Sequence, residues 1–335
     1  MEQYKKTVDE IEAQSGYDVL SALPDRIELL VESGDSPPVA VAGDATTAVE
    51  GSSVSFDGTG SFDPDGDALT YAWDFGDGTP GSASATTSHV YADNGSYTAT
   101  LTVKDPIGAD DSEPRVVTVT NATPVVKTLT ATSTVLSGET VFALATFGDA
   151  GVNDGPWSYV FDWGSGSTSI GSTGDQSSAV GSSRSFLAAG TYSVGFTVTD
   201  KDLGTSVRKV TTFRVLPVPA TMAVNPQRIN INGQGNGQVL ITLFGGNTID
   251  VAAIDLESVR IGAIGIDTRG NDGVKSDMRD ANNDGVQDLV LHFERRDLVD
   301  DGQLTSGITR LVLRANLNDG RQIEARGTVS VGFKD

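Results

Sequence analysis

The amino-acid sequence predicts a mainly β protein, built as tandem β-sandwiches with a short N-terminal helical segment. Its 335 residues include 39 glycines and are rich in Thr, Ser, Val and Asp, which favours strands and turns over helices. The stretch Tyr71–Gly78 places Tyr71, Trp73 and Phe75 on one strand face before a Gly-rich turn. A degraded copy recurs at residues 159–166. Together, the composition, the alternation and the repeat predict several β-domains.

Charge and composition exclude several functions. The formal net charge is −22, so the chain lacks the basic footprint of a nucleic-acid-binding protein and a polybasic membrane patch. Two interpretations of the acidic balance remain open: solubility through self-repulsion, or clustered Asp side chains that bind cations. The absence of cysteine excludes disulfides and thiolate ligands or nucleophiles. No apolar run reaches the roughly 18 residues of a membrane span.

Residues 1–33 are predicted to be helical. Thr7–Glu10 is a capping box, and Pro24 stands where a second short helix would begin. The residues Val8–Glu12, Gly16 and Leu23–Asp25 resemble the C-terminal end of the DNA/RNA non-specific endonucleases. This resemblance implies a secreted, metal-dependent nuclease whose catalytic residues and export signal lie outside this chain. The alternative is a generic helical cap on the domain that follows.

Residues 38–121 follow a Pro-containing linker and carry a series of β motifs: Val54–Phe56, Gly58–Asp67, Tyr71–Gly78, Ser88–Tyr91 and Tyr97–Val103. Their order and spacing resemble a PKD domain, which implies an immunoglobulin-like β-sandwich. We expect Trp73 and Tyr97 in its core, and Gly76 and Gly78 in a turn that needs positive φ. Asp77 is expected to cap that turn rather than to bind a ligand.

The loop from residue 63 to residue 67 is the first candidate metal site. Asp63, Asp65 and Asp67 would repel one another unless a cation or solvent screened them. In a sandwich of this topology, Asp105 lies at the same end as this loop. Because several PKD domains bind calcium there, the resemblance implies these four residues as calcium ligands. A solvated acidic loop is the alternative.

Two further β-domains are predicted. Residues 122–217 resemble a divergent second PKD domain, in which Phe147 and Asp149 correspond to Phe62 and Asp63. A metal site is less expected there, because Ser165 replaces the second Asp of the signature. Residues 218–335 show short alternating strands separated by turns and predict a C-terminal β-sandwich.

The strongest metal signal lies in this third domain, at residues 280–288. Oxygen atoms at loop positions 1, 3, 5, 7 and 9 can surround a calcium ion, while Gly285 permits the sharp turn. The candidate ligands are Asp280, Asn282, Asp284, the Val286 carbonyl and Asp288. A hairpin rich in Asn, Asp and Gly is the alternative, since these residues favour turns.

The sequence shows no catalytic constellation, so we expect a non-catalytic, secreted binding or spacer region, stabilised by calcium. Its expected partners are proteins or polysaccharides of the cell surface or matrix. Two alternatives remain: the C-terminal part of a secreted nuclease, or a structural subunit of an extracellular assembly. Of the two histidines, His89 is expected to make a structural hydrogen bond, and His292 is expected on an exposed strand face rather than in catalysis.

Overall fold

The computed structural model of the chain describes residues 35–231, 237–246, 248–267 and 275–332. These ranges are dominated by β-strands, which confirms the predicted mainly β class. Their helical elements are a 3₁₀ turn at Val251–Ala253 and the short helix α1 at Arg295–Asp300. None of the described helices has the length and apolarity needed to cross a bilayer. The predicted helical segment at residues 1–33 lies outside the described residues.

The first sandwich contains six strands: β1 (Thr46–Val49), β2 (Ser53–Asp57), β3 (Thr70–Asp74), β4 (Thr86–Val90), β5 (Gly95–Lys104) and β6 (Asp110–Thr120). One sheet has the order β1-β6-β5-β3, and β2 pairs with β4 in the other. Its core contains the signature side chains, since Phe56 contacts Trp73 and Phe75 at ring-centroid distances of 5.1 Å. Burial of Trp73 confirms the prediction.

Tyr97 corrects that core prediction, because its side chain is only half-buried. The reason lies in its position along the strand. Strand β5 begins at Gly95, so Tyr97 lies at the start of the apolar face. Ala99, Leu101 and Val103 follow on the same face and are fully buried.

The second sandwich contains eight strands: β7 (Val125–Ala131), β8 (Thr134–Leu136), β9 (Thr140–Gly148), β10 (Trp157–Asp162), β11 (Thr168–Thr173), β12 (Val180–Ser185), β13 (Gly190–Thr199) and β14 (Lys209–Leu216). Its two sheets have the orders β11-β10-β13-β14-β8 and β12-β9-β7. The repeated signature forms β10 and the turn after it, and Phe161, Trp163 and Phe196 are buried in the core. The apolar positions thus preserve the fold although the signature has diverged.

The described part of the third β-domain contains nine strands: β15 (Val218–Asn225), β16 (Arg228–Asn230), β17 (Gln238–Leu243), β18 (Ile254–Ile261), β19 (Ile264–Gly265), β20 (Ser276–Arg279), β21 (Asp288–Glu294), β22 (Gly307–Leu317) and β23 (Gln322–Gly332). Strand β15 pairs with β23 through residues 218–221 and with β17 through residues 222–225. It therefore links two groups of strands around one apolar core, which includes Ile241, Leu291 and Leu313.

Each sheet draws its strands from one of the three β segments expected from the sequence, whose boundaries stay predictions. The contacts divide the chain differently, into two compact units. Unit 1 comprises the described part of Met1–Thr47 together with Ser53–His89 and Ser96–Thr118. Unit 2 comprises Ala48–Ser52, Val90–Gly95 and the described part of Val119–Asp335. The turn at residues 48–52 therefore packs within unit 2.

Candidate cation sites

The loop from residue 63 to residue 67 curls around the carboxylate of Asp63. Asp63 Oδ1 accepts hydrogen bonds from the backbone N–H groups of Asp65 (2.8 Å) and Asp67 (3.4 Å). Asp63 Oδ2 is buried and has no hydrogen-bond partner among the described residues. Asp65 Oδ2 accepts the N–H of Ser36 at 2.7 Å, so the linker before the first strand folds onto this loop.

Asp105 supplies a second buried carboxylate in the same unit. Its Oδ1 accepts the N–H groups of Ile107 (2.9 Å), Gly108 (2.5 Å) and Ala109 (3.0 Å). Its Oδ2 is buried and accepts nothing from the described residues. Asp105 and Asp63 are thus alike: one oxygen is fixed by backbone donors and the other is left without a partner.

The linker residue Asp35 directly precedes Ser36, whose N–H binds Asp65, so Asp35 lies next to the first acidic loop. Desolvation raises the pKa of Asp35, and the negative charges of Asp105, Asp63, Asp67 and Asp65 raise it further. Sequence reasoning missed Asp35 as a member of this group. Its position two residues before Pro37, in the linker that leads into the first sandwich, was the available signal.

The loop at residues 280–288 is held closed by its own side chains. Asp280 accepts the N–H groups of Asp284 (3.1 Å) and Gly285 (2.9 Å), and Asp284 Oδ1 accepts the N–H of Val286 (2.8 Å). Asn282 Oδ1 also accepts the Asp284 N–H, at 3.0 Å. Gly285 has φ +85°, so it makes the left-handed turn that the motif predicts.

Asp288 differs from the other candidate ligands of this loop in its burial. It is fully buried, and its two oxygens accept the N–H groups of Gly245 (3.0 Å) and Ala281 (2.8 Å). The bond from Gly245 joins the loop to the segment after β17, and the bond from Ala281 joins the two ends of the loop. Asp288 therefore has a structural role in this conformation, whereas Asp280 is half-buried and Asn282 and Asp284 are exposed.

A third acidic group combines Asp149, whose loop carries only a weaker metal signal in the sequence, with Glu50 and Asp154, which sequence reasoning did not single out. The carboxylates of Glu50, Asp149 and Asp154 each place one oxygen within 4.8 Å of the other two. Glu50 and Asp154 are buried, and Asp149 is half-buried. Burial raises the pKa of Glu50 to about 7; the N–H of Ala122 acts against this, and the Asp154 and Asp149 carboxylates add to it. All three residues lie in unit 2.

Both histidines have polar contacts of a structural kind. His89 Nε2 lies 2.6 Å from Asp77 Oδ2, and its ring stacks on Phe75 at 4.1 Å. Asp77 Oδ1 also accepts the N–H of Thr79 at 3.1 Å, which confirms the predicted cap of the signature turn. His292 contacts Gln238 Oε1 (3.0 Å) and Asp277 Oδ2 (3.1 Å).

The first sandwich is similar in sequence to known proteins. Residues 35–120 match the model of the PKD domain. Collagenase ColA of Clostridium perfringens is 37% identical over 95 residues, which are 28% of this chain and 8% of that protein. Collagenase ColA of Bacillus cereus is 42% identical over 66 residues, which are 20% of this chain and 7% of that protein. The chain thus spans less than a tenth of either relative. Among solved structures, the PKD1 domain of Vibrio anguillarum Epp shows 37% identity and a TM-score of 0.22, covering 25% of this chain and 95% of that domain.

Proposed function

We propose that the chain is a non-catalytic, extracellular binding and spacer region whose β-sandwiches are stabilised by calcium. The observation that carries this proposal is the PKD match at residues 35–120 together with the acidic loop of that sandwich. In that loop, Asp63 and Asp105 each keep a buried oxygen without a partner among the described residues. Buried carboxylate oxygens are normally paired or bound to a metal, so these two favour a cation.

Calcium is the cation that suits both acidic loops. It takes six to eight oxygen ligands from carboxylates, carbonyls and water, and these loops offer oxygen atoms only. In the first loop the proposed ligands are Asp63, Asp65, Asp67 and Asp105. In the second they are Asp280, Asn282, Asp284 and the Val286 carbonyl, with Asp288 holding the loop in place through its backbone contacts.

The proposed partner is a protein or polysaccharide of the cell surface or matrix. The relatives named above are collagenases, so a collagen-like fibre is the first protein to test. The described surface also offers apolar contact area on β9, where Phe142 is 61% and Leu144 53% exposed on the same strand face. Exposed apolar residues that share a face are a recurrent feature of contact surfaces.

Co-sedimentation of the pure chain with collagen fibrils and with insoluble polysaccharides, each with calcium or with chelator, tests this function. We expect retention on at least one of these matrices, reduced in a Phe142→Ser/Leu144→Ser variant but unchanged in an Ile170→Ser variant. Ile170 is 77% exposed on the other sheet of the same sandwich, which makes it a matched control. No retention on any of these matrices would contradict the binding part of the proposal.

A further inference from the structure

We propose that Glu50, Asp149 and Asp154 hold a divalent cation of the calcium type, at a site separate from both acidic loops. The inference shares with the proposed function the idea that hard cations stabilise this chain. It uses different residues, however, so the two can fail independently. Asp149 and Asp154 belong to one loop, whereas Glu50 comes from a segment far earlier in the sequence, and all three residues belong to unit 2.

The carrying observation is the same pattern on all three carboxylates: one oxygen is fixed by a donor and the other has none. Glu50 Oε1 accepts the N–H of Ala122 (2.6 Å), Asp149 Oδ2 accepts the indole N–H of Trp157 (2.8 Å), and Asp154 Oδ1 accepts from Lys201 Nζ (2.9 Å). Glu50 Oε2, Asp149 Oδ1 and Asp154 Oδ2 are buried and accept no hydrogen bond from the described residues.

The exposure of these residues excludes a simple surface cluster. Glu50 is 1% exposed and Asp154 is 0% exposed. Solvent therefore screens their mutual repulsion poorly, and a buried carboxylate without a partner is costly. Asp200 adds to the negative charge, since it acts together with burial and Asp154 to raise the pKa of Asp149.

A neighbouring group of carboxylates has a positively charged partner within the protein. Asp93, Asp154 and Asp202 also bring their oxygens within 4.8 Å of one another, and the Lys201 ammonium lies among them. Lys201 Nζ is 2.8 Å from Asp93, 2.9 Å from Asp154 and 3.0 Å from Asp202. In the described ranges, neither Glu50 nor Asp149 has such an ion-pair partner. The proposed cation would neutralise the negative charges of Glu50 and Asp149, as the Lys201 ammonium neutralises those of its neighbours.

The backbone at Gly151 leaves room for these oxygens. A Cβ at this position would lie 2.2 Å from Asp154 Oδ2 and 2.8 Å from Glu50 Cδ. Any side chain there would therefore occupy the space between the two carboxylates. The three proposed ligands are all carboxylates, and oxygen ligands with no nitrogen or sulfur among them select a hard cation such as Ca²⁺.

Terbium luminescence on the full chain tests this site, because the Trp157 indole contacts one of the proposed ligands and can sensitise a bound Tb³⁺ ion. We expect emission on tryptophan excitation that Ca²⁺ displaces. Trp157→Phe should remove this emission while calorimetry still detects the same number of Ca²⁺ ions. Glu50→Gln and Asp149→Asn should weaken binding about tenfold or more at this site, because each removes a charged ligand. The matched control, Asp284→Asn in the 280–288 loop, should leave the Trp157-dependent emission unchanged.

Melting of the Glu50→Gln variant separates a cation site from a purely structural carboxylate. With chelator, this variant should melt at or above the wild-type temperature, because it relieves uncompensated repulsion. With Ca²⁺ it should gain less than the wild type. An equal Ca²⁺-induced rise in the melting temperatures of the wild type and Glu50→Gln would overturn the site. A proton or a buried water shared by the carboxylates would then explain their arrangement. Emission that survives in both Trp157→Phe and Glu50→Gln would also overturn the site. If Asp284→Asn abolishes Ca²⁺ binding and Glu50→Gln does not affect it, calcium binds at the 280–288 loop and not at Glu50. That result would refute the Glu50 site and leave the proposed function standing.

Discussion

The turn that ends the signature strand offers a matched test of the fold, because two of its glycines differ in one respect. Gly76 and Gly78 have nearly the same backbone conformation, with φ +76° and φ +77°. A Cβ added at Gly76 would lie 2.3 Å from the carbonyl oxygen of Thr98 on β5. A Cβ added at Gly78 would meet no atom within 4 Å. Gly76→Ala and Gly78→Ala therefore share a conformational cost, and only the first adds a collision.

The expected loss of stability in each variant follows from the conformational cost and the collision. The left-handed conformation costs an L-residue about 1–2 kcal/mol, and this is the whole expected loss for Gly78→Ala. Gly76→Ala must also move the backbone of β5, and overpacking of this kind costs about 1–3 kcal/mol more. For a domain of this size, each kcal/mol lowers the melting temperature by about 4–8 °C. Gly76→Ala should thus melt several degrees below Gly78→Ala.

Differential scanning calorimetry of the full chain measures both variants, with chelator present so that metal binding does not contribute. The difference should appear in the transition of the first sandwich, because Gly76, Gly78 and Thr98 all belong to unit 1. Equal melting temperatures for the two variants, or a larger loss in Gly78→Ala, would refute the proposed approach of the turn to β5.

Three further predictions concern acid stability, the second core and catalysis. Burial opposes a low pKa for Asp77, but hydrogen bonds from Thr79 and His89 outweigh it and lower the pKa. Asp77 therefore contributes stability above its ordinary pKa of 3.8, which is lost as the pH falls through the lower folded value. Asp77→Asn should lower the free energy of unfolding by about 1–3 kcal/mol at neutral pH and flatten the acid-unfolding curve. Asp57 makes the same kind of contacts with Thr59 but has no histidine partner, so Asp57→Asn should cause a smaller loss. Phe161→Ala in the second core should cost about 3–5 kcal/mol in urea unfolding, whereas Ile170→Ala should stay within about 0.5 kcal/mol. The pure chain should leave plasmid DNA intact with Mg²⁺, and hydrolysis in that assay would contradict the non-catalytic interpretation.

The first sandwich was largely predictable, because local patterns determine it. Alternation placed Trp73 and Phe75 on the buried face, and the Gly-rich turn after them has the expected positive φ at Gly76 and Gly78. The loop at residues 280–288 was visible for the same reason, since its turn-forming residues follow one another in sequence. Where position along a strand decides the outcome, the prediction failed: Tyr97 alternates correctly but lies near the first residue of β5, where its side chain is only half-buried.

The Glu50 site could not be predicted from local sequence. Nothing beside Glu50 distinguishes it from an ordinary turn residue, and its role depends on contacts with Ala122 and the 149–154 loop. Asp149 and Asp154 were visible as acidic loop residues, but their loop lost the spacing seen at residues 63–67. The role of Asp288 has the same origin, because its partner Gly245 belongs to another segment of the third domain.

Calcium dependence of the melting temperature tests the central claim most directly. After exhaustive chelation and dialysis, re-addition of Ca²⁺ should raise the melting temperature of the wild-type chain, and chelator should reverse the gain. An ion that binds only the folded state at 100 times its Kd adds about 2.7 kcal/mol of stability. Atomic absorption should then find bound calcium in the dialysed holo-protein. An unchanged melting curve together with no bound calcium would contradict every cation site proposed for this protein.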